Sequence, residues 1–147
     1  MHLVGQVREK VLRRATITTQ EIAPLPLLLT GFEGRIRTIA NKSFSAAGVT
    51  PNVKLEVDAN DALLDLISEG LGFAILPYCA IQREIVEGRC AGVEIISPTI
   101  PRIVLLAISS SRLIAPAIRE AARVIKNLVR GHAKQARWTI ASENQKL

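Results

Sequence analysis

Three short apolar runs constrain this chain most: Leu27-Leu28-Leu29, Phe73-Ala74-Ile75-Leu76 and residues 103–108. A run with no polar position cannot turn one face to water, so each predicts a strand buried on both faces. Such strands need helices to cover them. The sequence between them supplies helical patterns. Ile36, Ile39, Ala40 and Phe44 recur at helical spacing over residues 35–47, and Gly48 is placed to end that helix. Leu63, Leu64, Leu66 and Ile67 mark a second helix, with Asp58 or Asn60 as its cap and Gly70 as its stop. Pro77 suits the start of a third, which runs to about Glu87 before Gly88.

Other segments complete the order. Residues 3–7 read as a short strand, and residues 8–14 as a basic connector. Thr18 and Glu21 form a capping box for a short helical turn that Pro24 and Pro26 end. Val53, Leu55 and Val57 alternate with Lys54 and Glu56, as a strand does. Residues 93–96 predict another strand, and Pro98 and Pro101 bracket a linker. The longest helix is expected over residues 115–131, with Ile118, Ala121, Ala122, Ile125 and Val129 on one face. Strands alternating with helices argue an α/β fold around a mostly parallel sheet.

Composition narrows the function classes. Hydrophobic residues make up 48% of 147, enough for a core, but aromatics are scarce, so that core must be aliphatic. The longest uncharged stretch, residues 70–82, contains Pro77 and falls short of the roughly 18 apolar residues a membrane span needs. MHLVGQVREK lacks the pattern of a secretory signal. Cys79 and Cys90 make no disulfide framework and fit a reducing compartment. A cytoplasmic location is therefore expected. Lys/Arg and Asp/Glu balance over residues 1–111, and the net charge of +6 lies wholly in residues 112–147. That excess is either a solvated helix face with a soluble tail or a nucleic-acid footprint.

No catalytic constellation stands out in the sequence. His2 and His132 lie at opposite ends, in segments expected to be loose, and cannot serve a shared nucleophile. No Cys or His spacing suits a metal, no P-loop is present, and Gly70-Leu71-Gly72 precedes a strand instead of following one. No cofactor is expected. Two strand-to-helix junctions remain, residues 30–35 and 58–61. Ligands of open α/β sheets bind beyond the carboxyl ends of strands, where helix N-termini present free N–H groups. The first junction has two glycines, a hydroxyl, an aromatic and Arg35, so Thr30, Gly31, Phe32, Glu33 and Gly34 are the candidate ligand site. A tight turn that uses glycine for its positive-φ positions explains the same residues, and both readings stay open. Glu33 argues against an anionic ligand at that point.

At these residues the chain resembles the effector-binding domain of the LysR-type transcriptional regulators. The resemblance is carried by Leu25-Pro26-Leu27, Arg37 with Phe44, Ala47-Gly48-Val49 before Pro51, and Glu56-Val57-Asp58. It continues through Glu69-Gly70-Leu71-Gly72, Leu76-Pro77, Gly88, Pro98 and Arg102, and covers residues 2–130. Each piece is weak alone; their order and spacing together are specific. Leu76-Pro77-Tyr78 and Glu87-Gly88-Arg89 are similar to the nitrogen-assimilation-control subgroup.

The resemblance implies a periplasmic-binding-protein-like (type 2) α/β fold, two subdomains joined by crossing strands with a small-molecule effector in the cleft. Residues 1–17 would then be a crossing strand and connector, and 18–100 the second subdomain. Residues 101–131 would be a return strand and C-terminal helix, and 132–147 a polar tail. It implies self-association or association with a full-length regulator, and DNA contact through a winged helix-turn-helix not found in these residues. Arg37 would be a structural partner of a carboxylate such as Glu56. Three other readings compete: a solute-binding half-domain of a transport system, a small α/β enzyme, and nonspecific nucleic-acid binding through the basic C-terminus.

Overall fold

The computed structural model describes residues 1–31, 34–100, 106–108 and 116–132. The chain divides into two units, residues 1–102 and 103–147. In the first, β1 (His2–Gln6) leads through a 3-10 turn (Lys10–Arg13) to β2 (Thr16–Thr18) and α1 (Thr19–Ile22). Then come β3 (Leu27–Leu29), α2 (Arg35–Ala46), β4 (Val53–Glu56), α3 (Asn60–Ser68), β5 (Ala74–Leu76), α4 (Tyr78–Val86) and β6 (Cys90–Ile96). The second unit contributes α5 (Pro116–His132).

One ladder runs β2-β6-β1-β5 and another pairs β3 with β4. A parallel bridge between Leu27 and Phe73 joins them. There Leu28 N–H donates to Phe73 O (2.8 Å) and Phe73 N–H to Pro26 O (2.9 Å). The strand order is thus β4-β3-β5-β1-β6-β2. β3 and β4 are parallel, as are β2 and β6, whereas β1 is antiparallel to both β5 and β6. The expected mostly parallel sheet is present, with β1 alone reversed.

Both faces of this sheet are covered, which is why β3 and β5 lack polar positions. Leu3, Leu27, Leu29, Phe73 and Ile75 point into one core with Ile22, Ala40 and Phe44 of the α1 and α2 side. Val4, Leu28, Ala74 and Leu76 point into another with Leu63, Ile67 and Ile81 of α3 and α4. Successive residues divide between the two cores, as the pleat requires. The edge strand β4 is largely exposed; Leu55 points outward despite the alternating pattern.

Helix ends follow from local chemistry in most cases. Thr18 and Glu21 form the capping box in full, and Gly48, Gly70 and Gly88 end helices with positive φ. The capping of α3 is a correction: its N-cap is Ala59, with no side-chain cap, because the Asp58 carboxylate is drawn elsewhere. His2 is also a correction. It is not in a loose end but buried in β1, which is hydrogen-bonded on both sides. β2, a short edge strand before the capping box, has no signal in the sequence. Most of the strand expected over residues 103–108 lies outside the described residues, and 106–108 form no named strand. The tail, residues 133–147, lies outside them too.

Candidate ligand site

The strand directions bring specific residues to one edge of the sheet. The carboxyl ends of β3, β4 and β5 and the amino end of β1 all lie there. Thr30 and Gly31 follow β3, Asp58 follows β4, Pro77 and Tyr78 follow β5, and His2 begins β1.

The two junctions singled out from the sequence meet at this edge. Gly31 N–H donates to Asp58 Oδ1 at 2.8 Å, which ties the loop before α2 to the loop before α3. Gly34 N–H closes a turn onto Gly31 O (2.9 Å). A Cβ on Gly31 would lie 2.8 Å from Asp58 Oδ1, and one on Gly34 would lie 3.0 Å from Thr30 Oγ1. Neither glycine has a positive φ. Close approach, rather than backbone conformation, therefore makes both small. Thr30 Oγ1 is shielded from solvent and has no hydrogen-bond partner among the described residues. A buried hydroxyl left so costs about 1–3 kcal/mol, so the loop holds an unused polar group. Phe32 and Glu33 lie outside the described residues.

Arg37 supports this loop from below. It is only 7% exposed. Its Nε donates to Asn41 Oδ1 (3.1 Å) and its Nη1 to Thr30 O (3.3 Å). The same Nη1 lies 3.0 Å from Glu56 Oε1, so the carboxylate partner expected from the resemblance is present. Beyond β5 the His2 and Tyr78 rings meet at 5.4 Å with a 46° tilt.

Sequence reasoning missed His2, Tyr78 and the true role of Asp58. An xDA pattern before a helix reads as a cap, and only the parallel pairing of β3 with β4 shows that Asp58 lies opposite Gly31. Among the described residues no three His, Cys, Asp or Glu side chains converge to hold a metal ion. An open depression of about 340 Å³ lies along α2, but Thr38, Asn41, Lys42 and Ser45 line it from a single helix.

The family model that matches this sequence is the LysR substrate binding domain, over residues 1–130. The chain belongs to that family. This LysR substrate-binding domain has the periplasmic-binding-protein-like type 2 fold of its structural neighbours. It is similar to the effector binding domain of QuiR, solved in complex with shikimate (18% identity, TM-score 0.74), covering 89% of this chain and 61% of that one. It is similar to the CcmR regulatory domain of Synechocystis PCC6803, solved in complex with 2-PG (12% identity, TM-score 0.70, 86% and 61% covered). It is also similar to the regulatory domain of MetR, a LysR family regulator from N. meningitidis (14% identity, TM-score 0.60, 68% and 46% covered). The chain thus spans less than two thirds of each of these domains. No curated protein matches it by sequence. No helix among the described residues is long and apolar enough to cross a membrane.

Proposed function

We propose that this chain is the effector-sensing and self-associating module of a LysR-type transcription regulator working in the cytoplasm. DNA contact belongs to a winged helix-turn-helix outside these residues. The observation that carries the reading is the joining of two strand-to-helix junctions by Gly31 and Asp58 at the carboxyl edge of the sheet. Ligands of such sheets gather there. The mechanism is population shift: a small molecule seated against Thr30, Gly31, Phe32, Glu33 and Gly34 favours one arrangement of the module over another. The partner domain reads that arrangement. No side chain is assigned a catalytic role. The bound ligands of QuiR and CcmR support a small-molecule effector as the partner class.

The test is a thermal-shift screen of small polar metabolites against the chain and its Gly34→Val variant. A valine at 34 crowds Thr30 Oγ1 and Gly31 O. The reading expects at least one compound to raise the melting temperature of the parent and not of a folded Gly34→Val protein. Equal responses from both proteins would remove the loop from the binding surface.

A further inference from the structure

Lining a site is one matter, and choosing what enters it is another. The Gly31 amide is the group an anion would take at this strand end, and it is already occupied. Its N–H donates to Asp58 Oδ1, and the missing Cβ of Gly31 lets both carboxylate oxygens approach to about 3 Å of where it would stand. Asp58 itself is exposed, and its Oδ2 has no hydrogen bond or ion pair among the described residues. Neither nearby arginine neutralises it. Arg37 is committed to Thr30 O, Asn41 and Glu56. Arg35, exposed on the first turn of α2, forms no ion pair among the described residues.

We infer that Asp58 sets the chemical class of the effector: this wall takes the hydrogen-bond-donating end of a small molecule, an ammonium or hydroxyl group, and turns away a carboxylate. The inference rests on the reading that the loop lines the effector site. An incoming carboxylate would displace Asp58 from Gly31 or lie beside its charge. An incoming donor finds Oδ2 open.

The experiment titrates the isotope-labelled chain with three two-carbon probes, ethylammonium, ethylene glycol and acetate, which carry only an ammonium, only hydroxyls and only a carboxylate, following the backbone amides of Thr30, Gly31, Gly34 and Ala59 by NMR. The parent should show saturable shifts with ethylammonium or ethylene glycol, and the comparison tells amine from hydroxyl selection. Acetate should leave these amides unmoved. In Asp58→Ala the donor probes should bind about tenfold more weakly, as loss of a charge-assisted hydrogen bond implies. Acetate shifts should then appear at the freed Gly31 amide. Asp58→Asn removes the charge while keeping an acceptor for Gly31, and should lose ethylammonium binding without loosening the loop. Acetate binding to the parent as tightly as ethylammonium would overturn the inference, and so would undiminished donor binding to Asp58→Ala. Silence of these amides toward every probe in all three proteins would overturn the effector-site reading itself.

Discussion

Arg37 shows how one buried charge is tolerated. Its guanidinium serves Asn41 within α2, the Thr30 carbonyl at the end of β3, and Glu56 at the end of β4. Removing it forfeits those bonds and leaves the Thr30 carbonyl without this donor. Arg37→Met should cost about 2 kcal/mol, in the range for hydrogen bonds made by a charged group. Glu56 is half exposed, and a glutamine keeps an acceptor for Arg37 while losing the counter-charge, so Glu56→Gln should cost less, about 1 kcal/mol. Urea midpoints of the two variants check the difference. Glycine gives a second contrast. A Cβ at Gly72 would lie 2.2 Å from a Leu28 methyl and 2.6 Å from Pro26 O, where β3 and β5 meet. A Cβ at Gly48 meets nothing within 4 Å, but its φ is +68°. Gly72→Ala should therefore cost roughly 1–3 kcal/mol by overpacking, with the backbone carbonyl unable to retreat. Gly48→Ala should cost about 1–2 kcal/mol through backbone strain alone. Restoring space by Leu28→Ala can relieve only the methyl clash at Gly72 and nothing at Gly48.

Among the elements, α1 is the one most dependent on side-chain chemistry. Four residues cannot hold a helix by backbone bonds alone. The Thr18 backbone N–H first, then Arg14, then the Thr18 hydroxyl bind the Glu21 carboxylate and pull its pKa from the ordinary 4.5 to about 2. The folded pKa is depressed, so the contribution is present in full above about pH 4.5 and is lost as the pH falls toward 2. Glu21→Gln should flatten the fall in melting temperature over that window and leave the slope above it unchanged. This cap was legible in the sequence because its residues are three apart. So were β3 and β5, whose continuous Leu, Ile and Ala residues can only be buried on both faces. The true partner of Asp58 was not legible, since it lies 27 residues away across a strand pair. Nor was the burial of His2, which follows from β1 entering between β5 and β6 in reverse. Local pattern reveals an element's type; pairing, which no window of sequence contains, decides which ends meet.

At the scale of the molecule, charge and exposed apolar surface coincide in α5. Ile118, Val124, Ile125, Leu128 and Val129 are all 38% exposed or more. Arg119, Arg123, Lys126 and Arg130 occupy the other side, with Arg123 paired to Glu120. Two uses of such a helix compete, and salt separates them. Burial of the apolar side against a second copy is driven by water, so it should persist or strengthen in added sulfate. Binding of a polyanion by the basic side releases counterions and should weaken steeply with salt. The proposed self-association expects a sedimentation coefficient that rises with protein concentration at both low and high salt. Ile125→Glu with Leu128→Glu should hold the chain monomeric, because each places a charge in the surface that must lose its water. Arg119→Gln with Arg130→Gln should leave the association unchanged. A chain that is monomeric at every concentration in sulfate, yet shifts DNA at low salt, would assign α5 to the polyanion and remove self-association from the function proposed for this module.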